Sequence, residues 1–141
     1  MAEITLHRGK RKDNNEWVTG SALPIDDRVF IIWVHGSTGS IMHSEVHPDT
    51  VGRVLGVDSN DWIFHQGDII SSLYGFTGEI CFGEYSVYTD YKIETHIGFY
   101  IRWYGENSNK LSKDIGSCLN SPTISIIGNI HDNPELREVV L

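Results

Sequence analysis

The sequence contains no apolar run that approaches the ~18 residues of a membrane-spanning helix, and no basic start followed by an apolar signal segment. It has only two cysteines, Cys81 and Cys118, far apart and outside any Cys-x-x-Cys spacing. This usage predicts neither a disulfide framework nor a zinc site. We therefore expect a soluble protein that stays in the cytoplasm where it is made, with free thiols and no cofactor.

Sequence signatures of common enzymes are also missing. There is no Gly-x-Ser-x-Gly elbow, no phosphate-binding loop, no His-Glu-x-x-His helix and no dinucleotide-binding glycine pattern. We therefore predict no catalytic residue and expect a protein that acts by binding.

Basic residues are scarce, 11 against 19 acidic residues, for a net charge of −8. Four of them, Arg8, Lys10, Arg11 and Lys12, lie within five positions, and without them 7 basic residues face 19 acidic ones, a net charge of −12. An acidic body repels the phosphate backbone, so nucleic acid is not the expected partner.

We call Arg8 to Lys12 the basic stretch. Beside the turn-forming residues Asp13-Asn14-Asn15, it is predicted to be a solvated hairpin turn. As an interaction surface it would attract the acidic remainder of a second copy, which predicts a homo-oligomer. The alternative is a nucleic-acid accessory protein that uses the basic stretch as its contact.

The pattern of the chain is that of an all-β protein. Its 141 residues are predicted to form one domain, 1–141, or two closely packed β subdomains, about 1–60 and 61–141. Short β-branched and aromatic runs separated by turn signals predict small antiparallel sheets or a barrel, with strands at 28–34, 40–43, 61–64, 68–73, 78–88, 92–103 and 123–130. Leu111 to Leu119 has helical periodicity and predicts one short internal helix.

The aromatic residues are expected to pack in the core and across strands, namely Trp33, Phe82, Tyr85, Phe99, Tyr100 and Trp103.

One segment presents a possible metal site. His43, Glu45 and His47 would share one face of an extended strand, and imidazole with carboxylate is a ligand set for zinc. On a strand, however, residues i and i+4 lie about 13 Å apart, too far for a single ion. A polar strand edge is favoured, and a metal-dependent enzyme remains a second alternative.

Two turn motifs are predicted to be structural. At Gly67-Asp68, the glycine can adopt positive φ and the aspartate can accept backbone hydrogen bonds at the start of a strand. In Ile126 to Leu136 a strand is followed by Gly128 and Asn129, and Pro134 opens a helical turn with Asp132 or Asn133 as its cap.

These motifs, in this order and with Arg8-Gly9-Lys10-Arg11 to Trp17-Val18, resemble the YopX family of phage and prophage proteins over nearly the whole chain. The resemblance implies a mostly β fold with Src-homology-3-like barrel character, a bacterial host cytoplasm, and an unknown phage or host protein as partner. Since the family is one of uncharacterised function, the resemblance implies no catalytic residue. The chain departs from the family pattern at Arg53 to Gly56 and at Asp58 to Trp62.

Overall fold

The structure, a computed structural model, describes residues 5–55, 64–72, 75–105 and 124–138. In these ranges the helical segments are two 3-10 turns, Pro48–Thr50 and Pro134–Glu138, and seven strand pairs are antiparallel. The β-rich prediction is therefore confirmed, and so is the C-terminal helical turn that begins at Pro134. The predicted helix 111–119 lies outside the described residues. Neither of the helical segments that the structure describes has the length and apolar character needed to cross a lipid bilayer.

The chain divides into two compact units, residues 1–54 and 55–141. Strands of the first unit follow the order β4-β3-β2-β1-β5. Their bounds are β1 (His7–Lys10), β2 (Trp17–Ile25), β3 (Arg28–Val34), β4 (Ile41–Val46) and β5 (Gly52–Leu55), whose last residue already belongs to the second unit. The predicted hairpin of 28–34 with 40–43 is confirmed as β3 and β4, and its turn closes with the Gly39 N–H donating to the His35 carbonyl (2.9 Å).

The first sheet curls because β2 changes partner midway. Its first half pairs with β1, up to Gly20 opposite His7, and its second half pairs with β3, from Ser21 opposite Ile32. An isolated bridge joins Arg11, directly after β1, to Val46 at the end of β4. The sheet thus curls as a small barrel does, but in the described residues no continuous ladder closes it.

The second unit contains a four-stranded sheet of order β10-β7-β8-β9. Its strands are β7 (Asp68–Ser72), β8 (Thr77–Thr89), β9 (Lys92–Trp103) and β10 (Ile124–Asn129), and the two-residue strand β6 (Phe64–His65) precedes them. One face of this sheet carries Ile70, Ile80, Ile101 and Trp103, which form the core cluster together with Phe64 of β6. Alternation explains this face, because the pairs Ile80 to Ile101 and Gly78 to Trp103 place these side chains on the same side.

Candidate functional site

The longest hairpin of the second unit extends past its own sheet. β8 pairs with β7 at three positions, Thr77 to Glu79, but with β9 at twelve, Gly78 to Thr89. Beyond the opposed residues Gly83 and Gly98 the two strands continue as a two-stranded ribbon. We call this ribbon, Glu84 to Ile97, the arm.

The tip of the arm is a two-residue turn, Asp90-Tyr91. Both residues have positive φ, 32° and 74°, as a type I′ hairpin turn requires. Glycine and asparagine are the usual residues there, since a bulky side chain at positive φ is unfavourable. The chain instead places a fully exposed tyrosine at the tip.

One face of the arm carries a row of three exposed apolar side chains, with the polar residues Glu84, Ser86 and Thr95 beside them. Tyr88 and Ile93 are opposite each other, and Ile97 lies two pairs further from the tip on the same face. Their exposed fractions are 82%, 64% and 78%. This is the face that carries Ile80 and Ile101 in the core, so the apolar face of the hairpin runs out of the folded body and stays open on the arm.

The opposite face of the arm carries a short aromatic ladder. Tyr85 stacks on Tyr100 (4.9 Å between ring centres) and on His96 (5.6 Å), the residue opposite it on β9. The His96 Nε2 also lies 3.3 Å from Glu94 Oε2. These contacts engage the face of the arm opposite Tyr88, Ile93 and Ile97.

Sequence reasoning identified the packing aromatics but not this surface. The predicted cross-strand role of Phe82 and Phe99 is confirmed by their edge-to-face contact at 5.1 Å, and Trp103 lies in the core. The alternation that marks core residues on these strands also includes Tyr88, Ile93 and Ile97. Their spacing in the sequence therefore does not distinguish them from core residues. The only available signal was the tyrosine in a two-residue turn.

The basic stretch makes contacts within its own unit. Arg8 is buried, with its Cζ 4.3 Å from the centre of the Trp17 ring, and Lys10 Nζ lies 5.6 Å from the same ring. Arg11 is held by both carboxylate oxygens of Asp13, at 3.0 and 2.8 Å. Lys12 Nζ lies 2.8 Å from Glu45 Oε2. Arg8 and Lys10 thus belong to strand β1, and the turn itself lies between Arg11 and Glu16.

The structure places His43, Glu45 and His47 in different contacts. Glu45 binds Arg28 (2.6 Å) as well as Lys12, and these hydrogen bonds lower the pKa of its carboxyl to about 2. His47 Nε2 lies 3.1 Å from Asn15 Oδ1, and His43 is exposed. Among the described residues there is no group of three or more His, Cys, Asp or Glu side chains arranged for a metal ion.

The two turn motifs of the second unit lie side by side. β7 pairs with β10, so Asp68 is opposite Asn129. Gly67, at φ 94°, donates its N–H to the Ile80 carbonyl (2.8 Å) and accepts at its own carbonyl from the Ile130 N–H (2.9 Å). Positive φ at this position explains the glycine.

Asp68 is buried and bonds within its own turn. Its Oδ2 accepts the His65 backbone N–H at 2.7 Å and lies 3.3 Å from His65 Nδ1. The structure therefore brings this carboxylate and imidazole together, which sequence proximity alone did not establish. Both contacts lie between residues three apart, so they account for the shape of the turn.

Replacement of Asp68 by alanine is expected to lower the free energy of unfolding by ~1–2 kcal/mol, because the partly buried His65 N–H loses its acceptor. The circular dichroism spectrum should keep its β character. Asp68→Asn is the matched control, since it keeps an oxygen acceptor and should cost less. Chemical denaturation of the three proteins measures this, and equal stability of Asp68→Ala and wild type would contradict it.

The C-terminal motif is organised by Asn129. Its Oδ1 accepts the N–H groups of His131 (3.0 Å) and Asp132 (2.9 Å), and its Nδ2 donates to Asp132 Oδ2 (2.9 Å). Asn133 precedes Pro134, and its carbonyl accepts the Leu136 N–H (3.0 Å) in the 3-10 turn. A Cβ at Gly128 would lie 2.5 Å from Asn133 Oδ1, so a larger residue there would displace this side chain, which accepts the Asn129 N–H.

A buried carboxylate joins this turn to the sheet. Glu79 on β8 lies 3.4 Å from Arg137 Nη2 and 3.9 Å from Arg102 Nη1, and its charge raises the pKa of Arg137. On the same strand, burial raises the pKa of the Cys81 thiol to about 11. A thiol with that pKa is protonated at neutral pH and is a poor nucleophile. These residues therefore have a structural role, and the arm is the candidate functional site.

No protein-family model matches the chain, and neither a curated protein nor a solved structure matches it.

Proposed function

We propose that this protein is a β-rich binding module that acts through protein–protein contacts made by the arm. The observation that carries the proposal is the row Tyr88, Ile93 and Ile97, which continues the core face of the sheet and is largely exposed. A two-stranded ribbon on its own is marginally stable in water. Contact with a partner would stabilise it and would remove apolar side chains from solvent.

The energy available at this face is adequate for specific binding. Full burial of one large apolar side chain contributes about 1.5–3 kcal/mol. The three residues of the row and Tyr91 at the tip therefore offer several kcal/mol, to which backbone pairing along the ribbon adds. Association itself costs roughly 4–15 kcal/mol, so both kinds of contact are needed.

The proposed partners are a second copy of this chain and a phage or host protein. The second class follows from the resemblance to the YopX family, which also supports a bacterial cytoplasm as the setting. Charged side chains of the basic stretch have partners within the molecule, Arg11 with Asp13 and Lys12 with Glu45. This favours the arm over the basic stretch as the contact surface.

The test compares wild-type protein with a variant that carries Tyr88→Ser, Ile93→Thr and Ile97→Thr. Each tagged protein serves as bait for a differently tagged copy of the wild-type chain and for the proteins of lysogenic or infected cells, identified by mass spectrometry. We expect bound proteins that the wild type retains and the variant loses, with similar melting temperatures for both baits because the three side chains lie outside the core. Identical sets of bound proteins would overturn the proposal.

A further inference from the structure

The outer edge of the arm is an open strand edge. β9 is the last strand of its sheet, and the described part of the chain places no strand on its outer side. Because the tip is a two-residue turn, Thr89 and Lys92 form the first hydrogen-bonded pair. Bonded and non-bonded pairs alternate, so Ile93, Thr95 and Ile97 direct their backbone N–H and C=O groups away from β8.

This edge has little protection against pairing with another strand. Native edges are commonly blocked by proline, by bulges or by several charges. The β9 part of the arm contains no proline, and its register against β8 is unbroken. Its two charged residues, Lys92 and Glu94, lie on the opposite face from Thr95 and the exposed isoleucines on either side of it. Such an edge favours the addition of a further strand.

The sequence of the edge is complementary to itself. Suppose that two copies pair antiparallel about a two-fold axis that passes between their Thr95 residues. Ile93 then lies opposite Ile97 of the second copy, and the two Thr95 residues lie opposite each other. Glu94 then lies opposite His96 of the second copy, on the other face. Pairs of β-branched residues, pairs of threonines and pairs of carboxylate with imidazole are all favourable across strands.

Neighbouring registers are less favourable. An axis at Glu94 would place two carboxylates opposite each other, and an axis at His96 would do the same with two imidazoles. An axis at Ile93 would place Ile97 opposite Thr89 of the second copy. Since Thr89 lies across the turn on β8, Ile97 would have no partner on β9. Pairing about Thr95 spans the whole β9 part of the arm, Lys92 to Ile97, and places Lys92 opposite Gly98 of the second copy.

We propose that a second copy of this chain docks on the β9 edge of the arm, antiparallel and about a two-fold axis at Thr95, so that two arms form one four-stranded sheet. This inference rests on the proposed function, because it names the partner and the register for the same arm. Two-fold symmetry also closes the contact, so that a dimer forms and no filament grows along this edge.

The test is site-directed cross-linking with Thr95→Cys. Residues opposite each other in a hydrogen-bonded antiparallel pair have Cα atoms about 5.5 Å apart, within the range of a disulfide. Ser86→Cys is the matched control, since Ser86 is the exposed residue opposite Thr95 within the chain and lies on β8, the strand of the arm away from the proposed contact. The wild type, with Cys81 and Cys118, gives the background.

Under mild oxidation, or with a short bismaleimide linker, most Thr95→Cys chains should become covalent dimers while Ser86→Cys chains stay single. Equal cross-linking of the two variants, or none for Thr95→Cys, would overturn the inference. If the bait experiment still shows arm-dependent capture of another protein in that case, the proposed function stands without self-pairing. Loss of arm-dependent binding to every protein would defeat both.

A charge exchange tests the register independently. His96→Glu places two carboxylates opposite each other in both symmetric pairs and should weaken the dimer by roughly tenfold. Adding Glu94→Lys creates opposite charges at the same two positions and should restore dimerisation. Sedimentation of the wild type, the single variant and the double variant gives the three affinities, and a double variant weaker than the single one would contradict pairing about Thr95.

Discussion

Replacement of Gly20 by alanine is expected to lower the free energy of unfolding by about 3 kcal/mol, near the upper end of the usual cost of overpacking. Gly20 is the last residue of β2 that pairs with β1, and pairing with β3 begins at the next residue, Ser21. A Cβ at this position would overlap the carbonyl oxygen of Ile32 and would lie 3.2 Å from Ile31 Cγ2. Because the nearest group is backbone in a hydrogen-bonded strand, the neighbour cannot move away without loss of the ladder.

Gly36→Ala is the control for this prediction. Gly36 lies in the turn between β3 and β4, and a Cβ there would have no heavy atom within 4 Å. Its stability should stay within about 0.5 kcal/mol of wild type. Thermal unfolding followed by circular dichroism measures both variants, with a fall of roughly 10 °C expected for Gly20→Ala. Equal melting temperatures would mean that the backbones of β2 and β3 are further apart at Gly20 than these distances indicate.

Ile101→Ala and Ile97→Ala should separate folding from binding. Both residues are isoleucines on β9 and face the same side of the sheet, but Ile101 is fully buried and Ile97 is largely exposed. Truncation of Ile101 leaves a cavity beside Ile80 and Trp103 in the core cluster and should cost about 2–5 kcal/mol. Ile97→Ala should stay within about 0.5 kcal/mol of wild type in stability.

The same pair of variants reports on the arm. Ile97→Ala should weaken self-association, measured by light scattering across protein concentration, because Ile97 is predicted to lie opposite Ile93 of a second copy. Ile101→Ala should associate like wild type below its own melting temperature. If Ile97→Ala melted as early as Ile101→Ala, Ile97 would have to be packed inside the molecule, and the arm would lose its role as a binding surface.

Much of the strand pattern and two of the turns could be predicted from the sequence because their signals are local. The predicted strand 92–103 has the bounds of β9, and 28–34 has those of β3. Pro134 opens the C-terminal turn as expected, since proline suits the first position of a helix and carries no N–H to satisfy. Gly67 has positive φ, and Asp68 accepts the N–H of His65, three residues earlier.

The candidate site could not be predicted in the same way. Tyr88 and Ile93 have the period-2 spacing of core residues, and nothing in that spacing says that β7 stops pairing with β8 at Glu79. Exposure depends on which strands lie alongside, and this is a long-range property. The basic stretch is easily seen in the sequence, but its partners are not. Arg11 pairs with Asp13, two residues further on, whereas Lys12 pairs with Glu45, more than thirty residues further on.

The sequence by itself determined the β-rich class, the hairpin turns and the two glycine-containing motifs, because φ preferences, alternation and side-chain hydrogen bonds act over a few residues. Only the tertiary structure decided that Gly67 lies beside Ile130, that Glu45 is held by Lys12 and Arg28, and that the apolar face of β8 and β9 extends beyond its core. These arrangements depend on which strands pair and where each pairing ends, and residues far apart in the chain determine that together.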